Sequence, residues 1–262
     1  MNLQDIYDIT NYIIDKEQAG NSLSTVEYNS NLPNIQWDIV NTELDKLVKD
    51  ALTPIAGVMV SGSILNPFKK TAQLIPVDGS VAMPADYVRF MSFGQFGFNT
   101  DTVTVANQFR EITPVTPDQF VKIQNNIYAR PDIHPVVKIL DQFCFIPNDI
   151  PLVNLDYIRV PKTPYYDYCQ DSIGNAVYMP AGSVIHLNDS NTPTLYDSVG
   201  NVIETPVTKD GISYPYTSKT VELEWEQRAY TEFILRFLSR MGLNLNAEQV
   251  INYSEKKLQE HA

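Results

Sequence analysis

Hydrophobic positions near the end of the chain change period at one point. Val221, Leu223 and Trp225 alternate with Glu222, Glu224 and Glu226, which predicts a half-buried strand with one wet, acidic face. Tyr230, Phe233, Ile234, Phe237, Leu238 and Met241 then recur at helical spacing, predicting a helix over 225–242 that Gly242 terminates. Asn246, with Gln249 three residues on, predicts the start of a last helix. Val250, Ile251 and Leu258 give that helix a thin apolar side. A helix so weakly amphipathic needs tertiary packing, so 246–262 is expected to order only against a partner. At the other end, Leu3, Ile6, Tyr7, Thr10, Ile13 and Ile14 share a face of a first helix, closed at Gly20-Asn21. A helical turn is expected around Leu23 to Tyr28. A second helix follows from Pro33 to Leu52, with the stripe Trp37, Val40, Leu44, Leu47, Val48 and Leu52 and a stop at Pro54.

Between Leu74 and Tyr166 the pattern is one of strands and turns. Asp78-Gly79 is a hairpin signal. Tyr87–Phe93, Ile127–Pro131, Val136–Phe145 and Leu152–Val160 read as strands, with turns at Asn125-Asn126 and Pro147-Asn-Asp. Pro117-Asp-Gln-Phe starts a short helical turn. Residues 167–219 are rich in turn formers and nearly free of Lys and Arg. They hold a repeat: Asp171-Ser-Ile-Gly-Asn-Ala-Val returns 26 residues later as Asp197-Ser-Val-Gly-Asn-Val-Ile. Each copy places Gly-Asn where a hairpin needs positive φ. The fold class is therefore α+β. A helical core comes from both ends, antiparallel strands lie in the centre, and a β-rich arm is inserted. The expected division is 1–166 with 220–262 as the core and 167–219 as the arm.

Composition narrows the function. The 262 residues are 44% hydrophobic, enough for a core, and carry a net charge of −12. Such a surface repels nucleic acid and anionic membranes. Residues 51–68 are uncharged but too broken by Pro and Gly for a spanning helix. No leader pattern opens the chain. Two cysteines are too few for a disulfide framework or a zinc site; Cys144, in an apolar run, reads as a buried small hydrophobe.

No catalytic, metal or cofactor site is expected. Gly57-Val-Met-Val-Ser-Gly-Ser has P-loop glycine spacing but Ser63 where the lysine belongs. Asp132 and His134 lack a third ligand nearby, and His186 and His261 have no triad pattern. Glu222, Glu224 and Glu226 fit a wet strand face better than a cation site. The Asp/Asn turns lack a terminal calcium-loop Glu. Tyr165-Tyr166-Asp-Tyr168 and Tyr214-Pro-Tyr216 are open to three readings: a protein interface, strand packing, or a carbohydrate surface.

Three stretches together resemble a family. Val81-Ala-Met-Pro-Ala-Asp-Tyr-Val-Arg-Phe is similar to the Leu-Pro-Ala-Asp-aromatic signature of phage head-to-tail connector proteins, with Met83 in place of the leucine. Asn126-Ile-Tyr-Ala-Arg-Pro and Leu155-Asp-Tyr-Ile-Arg-Val-Pro resemble the strand pair that follows in that family. Val221–Glu226 with the helix after it, through Asn252-Tyr253, resembles the family's strand–helix ending. The likeness is greatest to structural proteins of crAss-like and other Bacteroidetes phages.

The resemblance implies a structural virion protein and not an enzyme. It would be an adaptor that forms a closed, twelve-fold homo-oligomeric ring joining the portal protein to other tail rings, assembled in the bacterial host cytoplasm. DNA would pass through its channel without specific binding, which an acidic wall suits. No membrane partner and no cofactor is implied. The candidate assembly-interface residues are Trp225, Arg228, Arg236, Arg240, Val250, Ile251, Tyr253, Tyr165, Tyr168, Tyr214 and Tyr216. The alternatives are another ring of the tail barrel, or a tail protein whose β-arm recognises host glycans through its tyrosines.

Overall fold

The computed structural model describes residues 2–17, 22–51, 64–100, 103–126, 134–243, 245 and 248–253. Helices gather towards both ends of the chain and mainly antiparallel sheets lie between them, so the fold is α+β. The chain divides into two compact units, 1–67 with 162–262, and 68–161. That division differs from the expected one: residues 167–219 group with the helices, and the central strands form a unit of their own.

In the first unit, α1 (Leu3–Glu17) buries Leu3, Ile6, Ile9, Thr10, Ile13 and Ile14, the face its periodicity predicts. Its expected stop at Gly20-Asn21 lies outside the described residues. α2 (Thr25–Ala51) starts eight residues before Pro33, which sits inside the helix. Ser24 and Glu27 form a capping box there: the Glu27 N–H donates to Ser24 Oγ and the Ser24 N–H to Glu27 Oε2, both at 3.2 Å. That box sets the start, and the turn expected at Leu23–Tyr28 belongs to α2. The buried stripe is Tyr28, Leu32, Ile35, Ile39, Val40 and Leu44, while Trp37 lies at the edge, 37% exposed.

The acidic alternation 221–226 is extended but carries only one β-bridge, Tyr165 to Val221. Leu223 and Trp225 are buried as expected. The glutamates are not a wet face. Glu222 Oε2 accepts the Leu3 N–H at 3.0 Å, at the positive end of α1, and the Tyr178 hydroxyl donates to Glu222 Oε1. Glu224 accepts the Lys162 N–H at 2.9 Å and pairs with the Lys162 ammonium at 3.3 Å. A 3-10 turn (Gln227–Ala229) leads into α4 (Tyr230–Arg240), so the helix is shorter than predicted. It ends in a Schellman motif: Gly242 has φ +83°, and Leu243 N–H donates to Leu238 O at 2.8 Å. α4 packs on both α1 and α2. Tyr7, Tyr28, Tyr166, Tyr178 and Phe237 form a continuous aromatic run through this core, with centroid spacings of 4.9–5.5 Å. Residues 248–253 are helical; Tyr253 donates its hydroxyl to Glu17 and meets Tyr12 edge-on. Asn246 and Leu258 lie outside the described residues.

The second unit stacks two four-stranded sheets. Its strands are β1 (Lys69–Leu74), β2 (Ser80–Ala82), β3 (Tyr87–Thr100), β4 (Val103–Glu111), β5 (Thr113–Val115), β6 (Val136–Ile139), β7 (Gln142–Ile146) and β8 (Val153–Arg159). The orders are β1-β8-β3-β4 and β2-β7-β6-β5. All pairs are antiparallel except β5–β6, whose connection carries α3 (Pro117–Gln124). Thr116 caps α3 in a reciprocal box with Gln119, and Pro117 opens it. Phe93, Ile112, Phe143, Phe145, Leu155 and Tyr157 fill the core. The stretch 136–145 is a hairpin rather than one strand, turning at Leu140-Asp141. Cys144 is half-buried, not fully buried. The predicted strand 127–131 lies outside the described residues.

The repeated turns close two hairpins of the first unit. One joins β9 (Tyr168–Gln170) and β10 (Ala176–Tyr178); the other joins β12 (Pro193–Tyr196) and β13 (Val202–Glu204). In each, the Asp carboxylate accepts main-chain N–H groups two and four residues ahead at 2.8–2.9 Å. The glycines hold φ of +90° and +95°, whereas neither following Asn has positive φ. With β11 (Val184–Leu187) and β14 (Tyr216–Thr217), these strands enclose Cys169, Met179, Ile185, Leu195 and Val207.

Candidate functional site

The base of the arm closes on one residue, Asp167, which is 1% exposed. Its main chain is fixed first. The Asp167 N–H donates to Thr220 Oγ1 at 3.1 Å, and the Met179 N–H donates to Asp167 O at 3.0 Å. Its carboxylate is then saturated. Oδ1 accepts the Tyr168 N–H at 3.0 Å and the Lys209 ammonium at 2.6 Å. Oδ2 accepts the Tyr216 hydroxyl at 2.9 Å and the Lys219 N–H at 2.8 Å. Burial opposes its ionisation, but Lys209, the Lys219 N–H and Tyr216 outweigh it, so the carboxyl stays below its usual range. Burial, then the hydrogen bond to Asp167, push the Tyr216 hydroxyl well up. Lys209 also donates to Tyr168 O and lies 5.2 Å from the ring centroids of both Tyr168 and Tyr216.

Beside this clasp opens a cleft of about 230 Å³ lined by Tyr165, Tyr168, Cys169, Gln170, Thr208, Lys209 and Asp210. Neither Asp167 nor Cys169 is poised there as a base or a nucleophile. A general base needs a free lone pair facing substrate, and each Asp167 oxygen already takes two donors. Burial pushes the Cys169 thiol up to about 11, so it stays protonated at neutral pH. Among the described residues, no three His, Cys, Asp or Glu side chains are placed to hold a metal. No described helix is long and apolar enough to cross a membrane.

The structure gathers some predicted interface residues and disperses others. Tyr165, Tyr168 and Tyr216 meet at the clasp and its cleft. Tyr214 packs on the small core of the arm. Trp225 is no surface anchor: it is 4% exposed, donates Nε1–H to Gln36 Oε1 at 3.2 Å and packs edge-on to Phe233. Its burial follows from the alternation that also buries Leu223. Arg236 bridges Glu232 at 2.7 Å and Thr42 at 3.0 Å, and Arg240 pairs with Asp38 at 2.6 Å. Both arginines therefore tie α4 to α2. Val250 is 2% exposed, a core contact rather than an open one, while Ile251 is 47% exposed. The side chain of Arg228 lies outside the described residues. Asp167 and Lys209 were not singled out from the sequence. The available signal was compositional: Lys209 and Lys219 are the only basic residues in an otherwise cation-free stretch.

The Pro84-Ala85-Asp86-Tyr87 signature forms a second cluster, within the 68–161 unit. Asp86 accepts the Lys70 ammonium at 2.7 Å and the Tyr157 hydroxyl at 2.6 Å, while its carbonyl accepts the Val160 N–H at 2.7 Å. Those contacts join β1, the turn before β3, and the end of β8. Lys70 chiefly, with Tyr157, holds the Asp86 carboxyl below its ordinary value.

No family model matches the chain, and no curated protein matches it. The sites therefore stand on their own chemistry, and both are clasps. Each uses one carboxylate to lock a lysine and a tyrosine from separate strands or loops.

Proposed function

We propose that the chain is a structural virion protein, a head-to-tail adaptor that forms a ring between portal and tail and part of the DNA channel. One observation carries the reading. Two of the stretches that resemble connector proteins are far apart in sequence but adjoin in the sheet: β3 pairs with β8 in the register Tyr87 to Arg159 and Phe90 to Tyr157. The signature carboxylate of Asp86 takes the hydroxyl of Tyr157 from the second stretch. The resembling residues thus form one structural feature. The strong negative charge also fits a wall along which DNA slides without phosphate contacts.

Light scattering on the purified chain, alone and with portal complexes, together with imaging of virions, tests the proposal. Closed rings, or monomers that close into rings on the portal, with matching side-chain density in the neck, are the expected outcome. A chain that stays monomeric beside the portal and is absent from neck density overturns it. Retention of polysaccharide by a stable monomer or trimer would favour the glycan-binding alternative, for which the Tyr165–Tyr168 cleft is the place to look.

A further inference from the structure

The cleft beside the Asp167 clasp has fixed walls. The Tyr165 N–H donates to Val221 O at 3.1 Å, and the Val221 N–H donates back to Tyr165 O at 2.9 Å. Gln170 and Thr208 exchange the same pair of bonds at 2.8 and 2.7 Å. The Tyr168 N–H is held by Asp167, and its carbonyl by the Lys209 ammonium. Each wall is tied to protein through its main chain. A ligand entering here has no loop to order, which removes one of the usual costs of binding.

The side chains are left over. Among the described residues, the Tyr165 and Thr208 hydroxyls, the Gln170 amide and the Asp210 carboxylate make no hydrogen bond to protein. All are exposed, Tyr165 to 41%. Other polar side chains of the arm are taken up by the fold itself: Asp171 and Asp197 by their turns, Ser218 and Thr220 by the Met179 carbonyl, and Tyr216 by Asp167. The cleft gathers donors and acceptors that the fold does not use.

Size and charge select the ligand. The volume of about 230 Å³ is below the roughly 300–1,000 Å³ of sites for drug-sized molecules, so it takes one ring. The Lys209 charge is offset by Asp167 at 2.6 Å, and Asp210 adds a second carboxylate. A phosphate or an acidic sugar therefore meets net negative charge. A cation would satisfy Asp210 alone, and the rings of Tyr168 and Tyr216 already face Lys209 at 5.2 Å. An apolar ring would strip water from the carboxylate and the amide and return nothing. A neutral sugar meets every demand. Its hydroxyls both donate and accept, as a carboxylate, an amide and a hydroxyl together require, and its C–H face has an aromatic ring to lie against.

We propose that this cleft binds one neutral saccharide unit, with Asp210, Gln170 and Thr208 holding its hydroxyls and Tyr165 its C–H face. The proposal does not rest on the adaptor reading, because the whole cleft lies in one chain and one compact unit. A free sugar and a unit of a polysaccharide present the same chemistry.

Saturation-transfer NMR reads the ligand and works whatever the size of the assembly. The probes are the methyl glycosides of glucose, galactose, mannose and N-acetylglucosamine, and separately dextran, galactan and mannan. At least one should receive saturation, a glycoside with a dissociation constant of about 1 mM, as ordinary ligand efficiency gives one small ring. Asp210→Asn and Tyr165→Ala should each weaken that binding by about tenfold or more. Both side chains lie outside the clasp, and circular dichroism with a thermal melt checks that the variants fold. Binding of glycosides alone identifies a free sugar as the ligand, and binding of a polysaccharide identifies a chain; either supports the site when the variants abolish it. Silence from every probe, variants that bind like the wild type, or tighter binding of choline or inorganic phosphate than of any sugar overturns the proposal. Rings that bind no sugar would sink the site and leave the adaptor reading standing. A chain that stays monomeric beside the portal yet binds sugar through Asp210 would do the reverse.

Discussion

Replacing Asp167 with Ala removes one buried carboxylate and strands four donors: two main-chain N–H groups, a hydroxyl and an ammonium. Hydrogen bonds to a charged group contribute about 1.5–3 kcal/mol each, which naively gives about 6–12 kcal/mol. That sum overstates the loss, because desolvating the carboxylate already opposes those bonds in the wild type. Breaking a buried pair typically costs about 3–5 kcal/mol. The Lys209 side chain is 17% exposed and can swing into the cleft to rehydrate, so the lower end, about 3 kcal/mol, is expected. The pH dependence carries a sign. The Asp167 carboxyl is held below its unfolded value, so its stabilisation is complete above the unfolded carboxyl range near pH 4 and is lost as pH falls through the folded value. Urea unfolding followed by fluorescence of the buried Trp225 measures both. The gap between wild type and Asp167→Ala should be flat from about pH 5 to 8 and narrow below about pH 4. A gap under about 1 kcal/mol at pH 7, or one that widens on acidification, refutes the reasoning.

Two further substitutions test the two cores separately. Phe237→Ala empties a 1% exposed site beside Tyr28 and should cost about 3–5 kcal/mol by urea unfolding, whereas a loss below about 0.5 kcal/mol would mean that the helical core tolerates the void. Gly79→Ala forces a side chain onto φ +73° and places its Cβ 2.9 Å from Asn148 Cα, so a loss of roughly 2–4 kcal/mol is expected; a thermal melt matching the wild type would contradict it.

Periodicity located the elements whose burial is local. The faces of α1 and α4, the Asp78-Gly79 turn and both repeated hairpins follow directly from spacing and turn chemistry. Boundaries failed where a short-range signal was overridden. Pro33 marks a preferred helix start, yet the Ser24–Glu27 box eight residues earlier supplies the cap, and an early helical Pro forfeits one hydrogen bond near Asn29. Asn29 is held by tertiary contact instead. Its side-chain amide donates to Tyr166 O at 2.8 Å and its oxygen accepts the Tyr166 N–H at 2.8 Å.

The candidate site was harder to see because its parts lie 42 and 49 residues from Asp167 and share no motif. Alternation correctly put Leu223 and Trp225 inside, but it assigned Glu222 and Glu224 to water. Period-two patterns report which side of a segment faces a core; they do not report what waits on the other side. Here the other side holds the N-terminus of α1, the hydroxyl of Tyr178 and the main chain of Lys162. The same limit explains the arm. A stretch almost without cations looked detachable, yet its two lysines lie 5.2 and 5.9 Å from the Tyr216 ring centroid, and Lys209 and the Lys219 main chain both close on Asp167. The arm is keyed to the helices elsewhere, where Tyr178 donates to the Glu222 carboxylate that also holds the N-terminus of α1, and so it moves with them. Contact made at its exposed hairpin tips, Ile173 and Val199, would then be transmitted to the helical core rather than absorbed in a hinge.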